Sequence, residues 1–367
     1  MSLPKLIYYD LIVSNIESQL IDPPQLVFKS SRSSPYIKNP SKYRVSIARW
    51  QISNTNTLPI WRPLMLPYST DPNKSIYSIV LEYQGVSFRQ YMDYEPQNKA
   101  IQVPPAPSTQ PNGLQNNSTS YYDIYNYSYA IYLINETFKK AFEGLSNLIT
   151  LPTDHVPVMS YDASTNIALL SCDVLFYSLK IDDPIKIYFN SSLGNIFSSF
   201  PFLIKSLSDD GKNFQLQTDL FSETSIAPFP PYEDNPDLQY DALQIYQESN
   251  TMTSAMCPIS SIVINSINLP VVNNIEGDPQ IYVNQTLFDA GNGKQTSSLI
   301  TDFIAESYQN YIIYSPNVYR YIELNGDQPL YNLDMSVFWK DTLGNLNKFL
   351  LPCGGFATIK IMFELLE

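Results

Sequence analysis

A single histidine, His155, stands in this chain of 367 residues. Any Ser-His-Asp or Cys-His mechanism would have to run through it, since no other imidazole can carry the proton. Its setting, PTDHVPV over 152–158, reads as a loop running into a strand, the place of a structural or surface histidine. Cys172, Cys257 and Cys353 lie far apart, with no CxxC spacing and no disulfide framework. One His and three scattered Cys cannot build the clustered ligand set of a zinc site. Asp182-Asp183, Asp209-Asp210 and Glu233-Asp234 are acid pairs, but none has the spacing and glycine of an EF-hand. Solvated loops account for them, and nothing singles out a carboxylate pair for glycoside chemistry. Cys353-Gly354-Gly355 lacks the Lys-Ser/Thr of a phosphate loop and leads into a strand, as a turn would. The expectation is a non-enzyme with no catalytic, cofactor-binding or metal-ligating residues.

Composition narrows the class. Charged residues are sparse at 16%, against roughly 25% in ordinary soluble domains. Aromatics reach 13%, with 28 Tyr and 18 Phe. Surfaces rich in aromatics and poor in Lys and Glu suit burial against neighbours. The net charge of −13 argues against nucleic acid as a partner of the whole surface, and no sequence-specific nucleic-acid block is present. Charge is uneven, however. Residues 1–50 hold seven Lys/Arg and three acids, net +4, leaving −17 for the remainder; residues 221–250 hold six acids and no Lys or Arg. Lone, scattered cysteines suit a reducing compartment. The start, MSLPKLIYYDLIVS, lacks the order of a signal peptide, and no apolar run is long enough for a membrane span. The sequons at Asn117 and Asn284 are expected by chance in so Asn-rich a chain.

Strand patterns dominate the elements. Lys5–Val13 is rich in β-branched and aromatic residues. Tyr43–Ile52 alternates, with Tyr43, Val45, Ile47 and Arg49 on one face and Arg44, Ser46, Ala48 and Trp50 on the other. Ser75–Tyr94 reads as a hairpin around Gln84-Gly85, and Met159–Leu170 as one around Ala163–Asn166. Further strands are expected at Ile185–Phe189, Phe214–Thr218, Ser260–Ile267, Tyr311–Ser315, Met335–Trp339 and Ala357–Phe363, about a dozen in all. Helices are expected at Tyr129–Leu148, from its i, i+3, i+4, i+7 apolar stripe, and at Ser191–Phe200. Proline clusters at Pro104–Pro111 and Pro228–Pro236 mark extended loops. Many short strands, Pro-rich loops and no strand–helix alternation predict an all-β sandwich or jelly roll.

Blocks in the last third carry a family resemblance. QESNTMTSAMCPISSIVINSINLPVV (247–272), the YSP…YRYIEL stretch within 299–324, and SVFWKDTLGN…LLPCGG…IKIMFEL within 327–366 resemble the penton or minor capsid proteins of polinton-like, adintovirus and virophage-type eukaryotic DNA viruses. YYDLIV near the start and YYDIYNYSYAIYLIN before the helix extend the resemblance over most of the chain. It implies a jelly-roll β-sandwich standing in a capsid shell and forming a homo-oligomer, a pentamer around a vertex, that contacts the major capsid protein. It also implies a virion protein assembled inside the host cell. The expected division is a roll of 1–125 with 241–367 and an inserted region, 126–240, holding the helices and an acidic Pro-rich loop that faces outward. The basic beginning is expected to serve assembly or inner-face contacts. Two alternatives stay open: a double jelly-roll major capsid protein forming a trimer, and a β-sandwich module binding a receptor or glycan. A dozen strands fall short of the sixteen that two rolls need, which favours one roll plus an insertion.

Overall fold

The computed structural model describes residues 4–16, 23–53, 55–97, 103–108, 113–219, 223–225, 242–271, 280–283, 286–289, 298–305, 308 and 311–366. Contacts divide the chain into two compact units, Met1–Leu58 with Pro258–Glu367, and Pro59–Cys257. The first unit begins with β1 (Leu6–Ser14), β2 (Val27–Ser31) and β3 (Tyr43–Ser53). The second holds β4 (Lys74–Tyr83), β5 (Val86–Asp93), α1 (Tyr127–Ser146), β6 (Val158–Asp162), β7 (Ile167–Asp173), α2 (Val174–Tyr177), β8 (Lys186–Phe189), α3 (Ser191–Ile196), β9 (Phe202–Ile204), β10 (Phe214–Leu216), β11 (Glu223–Ser225), β12 (Ala242–Tyr246) and α4 (Thr251–Met256). The first unit resumes with β13 (Ile259–Ser266), β14 (Gln280–Val283), β15 (Thr286–Asp289), β16 (Ser298–Phe303), β17 (Tyr311–Tyr314), β18 (Ile322–Glu323), β19 (Asn332–Asp341), β20 (Leu346–Lys348) and β21 (Phe356–Leu365).

The first unit is an eight-stranded jelly roll. One sheet has the order β1-β21-β3-β17 and the other β16-β13-β19-β2. Counting its eight principal strands in chain order, these sheets read first-eighth-third-sixth and fifth-fourth-seventh-second, the interleaving of two Greek keys. Every pairing is antiparallel. Inward side chains of both sheets, among them Phe28, Trp50, Ile262, Val337, Ile359 and Phe363, are fully buried. Trp50 packs 5.5 Å from Phe303 and 5.9 Å from Phe349, ring centre to ring centre.

The alternation expected of β3 fails at its middle. Val45 and Ile47 are buried, but so is Trp50, while Arg49 is exposed. Ile47 pairs with Ile361 and Arg49 with the adjacent Lys360, so Ala48 is one residue too many. This bulge moves every later side chain to the opposite face. Arg49 is therefore turned outward and Trp50 inward, the reverse of the strict two-residue pattern.

The hairpins stand where the turn residues place them. Gln84 and Gly85 have φ of 48° and 80°, the left-handed pair of a tight β4–β5 turn. β6 and β7 flank Ala163–Asn166, and Asn166 has φ 59°. Between β19 and β20, the buried Asp341 carboxylate accepts from the amides of Leu343 and Asn345, and Gly344 takes φ 84°. The strand after the Asp341–Gly344 turn is β20, as the turn chemistry predicts, while pieces such as β9, β11 and β18 have too few residues to show a period.

The second unit has sheets β5-β4-β8-β10-β9 and β11-β12-β7-β6, orders unlike those of the roll. Helix α1 buries Ile131, Ile134, Phe138, Ala141 and Leu145 and packs on β4, β5 and β6. The Asn126 side chain caps it by accepting from the Tyr129 amide. Arg62 and Asp123, both buried, pair at 2.6 Å. This unit reaches beyond 126–240 on both sides, because β4 and β5 share a sheet with β8, and β12 pairs with β7. Residues 226–241, with most of the acidic Pro-rich loop, lie outside the described residues.

Nothing lies within 4 Å of where a Cβ at Gly85 would stand, so substitution there meets only backbone strain. Gly85→Ala is expected to cost about 1 kcal/mol, and Gly85→Asn less, since Asn tolerates the left-handed region. Denaturant midpoints of the two variants against the parent check this order.

Candidate functional site

The residues with chemical potential sit apart. His155 Nδ1 lies 2.5 Å from the buried Asp173 Oδ2, and Asp154 stands 3.6 Å from Nε2. Asp173 also accepts from the Leu175 amide, capping α2, and the Tyr177 hydroxyl donates to the His155 carbonyl. Carboxylates stand by both ring nitrogens, and the arrangement fastens the loop before β6 to the β7–α2 junction. Cys172 is buried next in sequence to Asp173; burial first, and that charge second, push its thiol well above the usual range. A thiol so shifted is a poor nucleophile.

The acid pairs organise turns. Asp209 approaches Arg89 at 3.7 Å, and Asp210 accepts from the Lys212 amide, which holds its carboxyl below the usual range. Asp182 and Asp183 are exposed, and Asp183 accepts a long 3.5 Å contact from Gln84. Glu233-Asp234 and Asn284 lie outside the described residues, while Asn117 is buried. Among the described residues no cluster of three or more His, Cys, Asp or Glu is arranged to hold a metal ion.

The unexplained surface is on the roll, on the outer face of the sheet β1-β21-β3-β17. In β1, Leu6, Tyr8, Asp10 and Ile12 face out, and Ile12 is 70% exposed. Register places Ile12 beside Thr358, Thr358 beside Gln51, and Gln51 beside Ile313, which is 55% exposed. The next row runs Ser14, Phe356 and, through Ser53 in β3, Tyr311; Phe356 and Tyr311 are exposed. The outward charges of β1, β3 and β21 are already paired. Lys360 lies 3.3 Å and Arg49 3.9 Å from Asp10. Arg44 pairs with Glu364 at 2.7 Å and stacks 3.8 Å over the Tyr321 ring. Hydrogen bonds from Tyr321 and then from Arg44 hold the Glu364 carboxyl below its usual range. Ion pairs satisfied within one chain add little desolvation cost when a second surface covers them.

The sequence carried a signal for this face that strand reading alone passes over. LIYYDLIV is apolar at both phases of its alternation. Such a strand belongs in a sheet covered on both sides. Here one phase faces the core of the roll, and the other, Leu6, Tyr8 and Ile12, faces out.

A jelly roll interrupted by a large inserted unit, with an apolar outer sheet face, is the build of a protein that packs against neighbours. The family is found directly: the chain belongs to the Sputnik minor capsid protein V18/19 family, whose model matches residues 7–365. It is a structural protein of the virion. "Uncharacterized protein V18" of Sputnik virophage is 32% identical over 147 residues, covering 39% of this chain and 86% of that protein. A chain of the Sputnik virophage structure solved by cryo-EM superposes with a TM-score of 0.79 at 23% identity, covering 99% of this chain and 98% of its own. The crystal structure of the mavirus penton protein superposes with a TM-score of 0.61 at 16% identity, covering 98% and 100%. These folds agree with the jelly roll read from the strand order. The second unit, whose strand orders differ from the roll's, stands against the double-roll alternative.

Thiol accessibility gives a check on this arrangement. Cys353 is exposed and Cys172 buried. In the folded protein a maleimide is expected to label Cys353 rapidly and to leave Cys172 unlabelled until denaturant is added. Peptide mapping of labelled sites reads the outcome.

Proposed function

We propose that this minor capsid protein is the penton subunit: it forms a homopentamer that closes a capsid vertex and grips neighbouring major capsid subunits. The single observation that carries the reading is the outer face of β1-β21-β3-β17, where Leu6, Tyr8, Ile12, Phe356, Tyr311 and Ile313 remain exposed around ion pairs already made. Exposed apolar groups on three strands of one sheet, β1, β21 and β17, mark a surface meant to be covered. Aromatic anchors flanked by paired charges are the make-up of a subunit interface. The likeness to the mavirus penton protein supports the same reading.

The distribution of charge supports an outward role for the inserted unit. Residues 59–257 hold 21 acids and 10 Lys/Arg, so they carry −11 of the net −13, and the roll carries −2. An acidic appendage belongs away from packaged DNA. The roll, nearly neutral, is free to pack against its copies. Assembly inside the host cell fits three scattered cysteines whose spacing makes no disulfide framework.

Ile12→Asp with Ile313→Asp places two charges on the outer face without touching the core. The double variant is expected to run as a monomer in mass photometry, while the parent runs as a pentamer and both melt alike. A parent that is monomeric, or a variant that keeps the parent's oligomer, overturns the reading.

A further inference from the structure

Residues 23–70 contain seven Lys or Arg and not one Asp or Glu, in a chain of net charge −13. The structure sorts the seven into two groups. Arg44, Arg49 and Arg62 find carboxylates at Glu364, Asp10 and Asp123. Lys29, Arg32, Lys38 and Lys42 are exposed, and no carboxylate pairs with them among the described residues.

These four gather at one end of the roll. Lys29 is on β2, and the others follow it on the connection to β3. β2 ends and β3 begins where β1 begins and β21 ends: Leu365 pairs with Tyr43, and the Leu366 amide bonds to the Lys42 carbonyl. The chain leaves the roll at Ser53 and returns at Ile259 at the opposite end of the same strands.

The connection is held in shape from beneath. Tyr36, Ile37 and Pro40 are buried, and the Tyr36 amide bonds to the Leu330 carbonyl at 2.7 Å. The Arg32 guanidinium stands 5.4 Å from the Tyr36 ring and 6.0 Å from the Tyr9 ring, a cation–π contact that positions it while leaving it exposed. Ser33 and Ser34 follow it, both exposed. The acids at this end are Glu364, already held by Arg44, Glu323, Asp327, which accepts from the Ser41 hydroxyl, and the buried Asp334 opposite Lys29, whose carboxylate accepts from Ser266 and the Ile267 and Asn268 amides.

We propose that this end of the roll binds the phosphate backbone of duplex nucleic acid without reading its bases. Positioned Arg and Lys with neighbouring hydroxyls are the donors that phosphates take. A membrane-surface binder would present apolar side chains beside its cations. Here the apolar residues of the connection are buried, and what faces solvent is Lys, Arg and Ser. The roll itself carries only −2, with fourteen acids against twelve Lys/Arg, so its own charge does not swamp four exposed cations at one end. The inference stands on the roll's own surface and does not depend on the oligomer it forms.

The test uses the full-length protein, a labelled duplex of about 20 base pairs, and salt from about 50 to 200 mM. Four phosphate contacts give a slope of log K against log salt of about −3.6, a loss of about a hundredfold across that range, on weak binding of about 10⁻⁴ to 10⁻⁶ M. Replacing Lys29, Arg32, Lys38 and Lys42 together with Gln is expected to abolish binding and leave the melting temperature unchanged. A second variant, with Lys29→Arg, Lys38→Arg and Lys42→Arg, is expected to bind as the parent does. No parent binding at the lowest salt, or an unchanged salt slope in the Gln variant, overturns the proposal. So does tighter binding to phosphatidylserine vesicles than to the duplex, which assigns the surface to lipid.

Discussion

The last strand of the chain lies between the first and the third, and the roll depends on that placement. β21 pairs along its length with β1 on one side and β3 on the other. Without it β1 would be cut off from β3 and β17, and the Trp50 core would lose one wall. The contacts join residues more than 300 apart in sequence, such as Val45 with Phe363. Loop closure over such a distance grows only logarithmically in cost, so a long insertion is thermodynamically tolerable. Its effect falls on rate: non-local strand pairing forms late and slowly.

The same constraint explains where the second unit enters. β3 ends and β13 begins at one end of the roll, so the chain can leave and return without disturbing either sheet. The inserted residues build their own core around Trp61, Phe138, Phe189 and Phe197. They also take most of the negative charge. What remains in the roll is close to electrically balanced, with an apolar outer sheet face and a positive end. A minor capsid protein must meet several neighbours at once, and these surfaces differ in chemistry enough to serve different ones.

Much of the architecture was legible in the residues. β1, β3, the two hairpins of the second unit, α1 and β21 fall within a few residues of where alternation, turn glycines and the helical stripe place them. The jelly-roll class followed from many short strands and the family blocks. The candidate surface was harder to read. Alternation tells which residues share a face, but not whether that face meets the core, a neighbour or water. The extent of the second unit was equally hidden, because β4 and β5 look like any hairpin until their partner β8, about a hundred residues on, is known.

By itself the sequence determined the local chemistry: which segments extend, which turn at Gly85 or Gly344, and that the chain holds one histidine and three scattered cysteines. These are properties of a residue and its near neighbours. Only the tertiary structure decided that Ala48 bulges, that Arg49 therefore turns outward and Trp50 inward, and that Lys29, Arg32, Lys38 and Lys42 share one end of a roll. The physical reason is register. A strand's side chains take a direction only when its partners are set, and here those partners come from the far end of the chain.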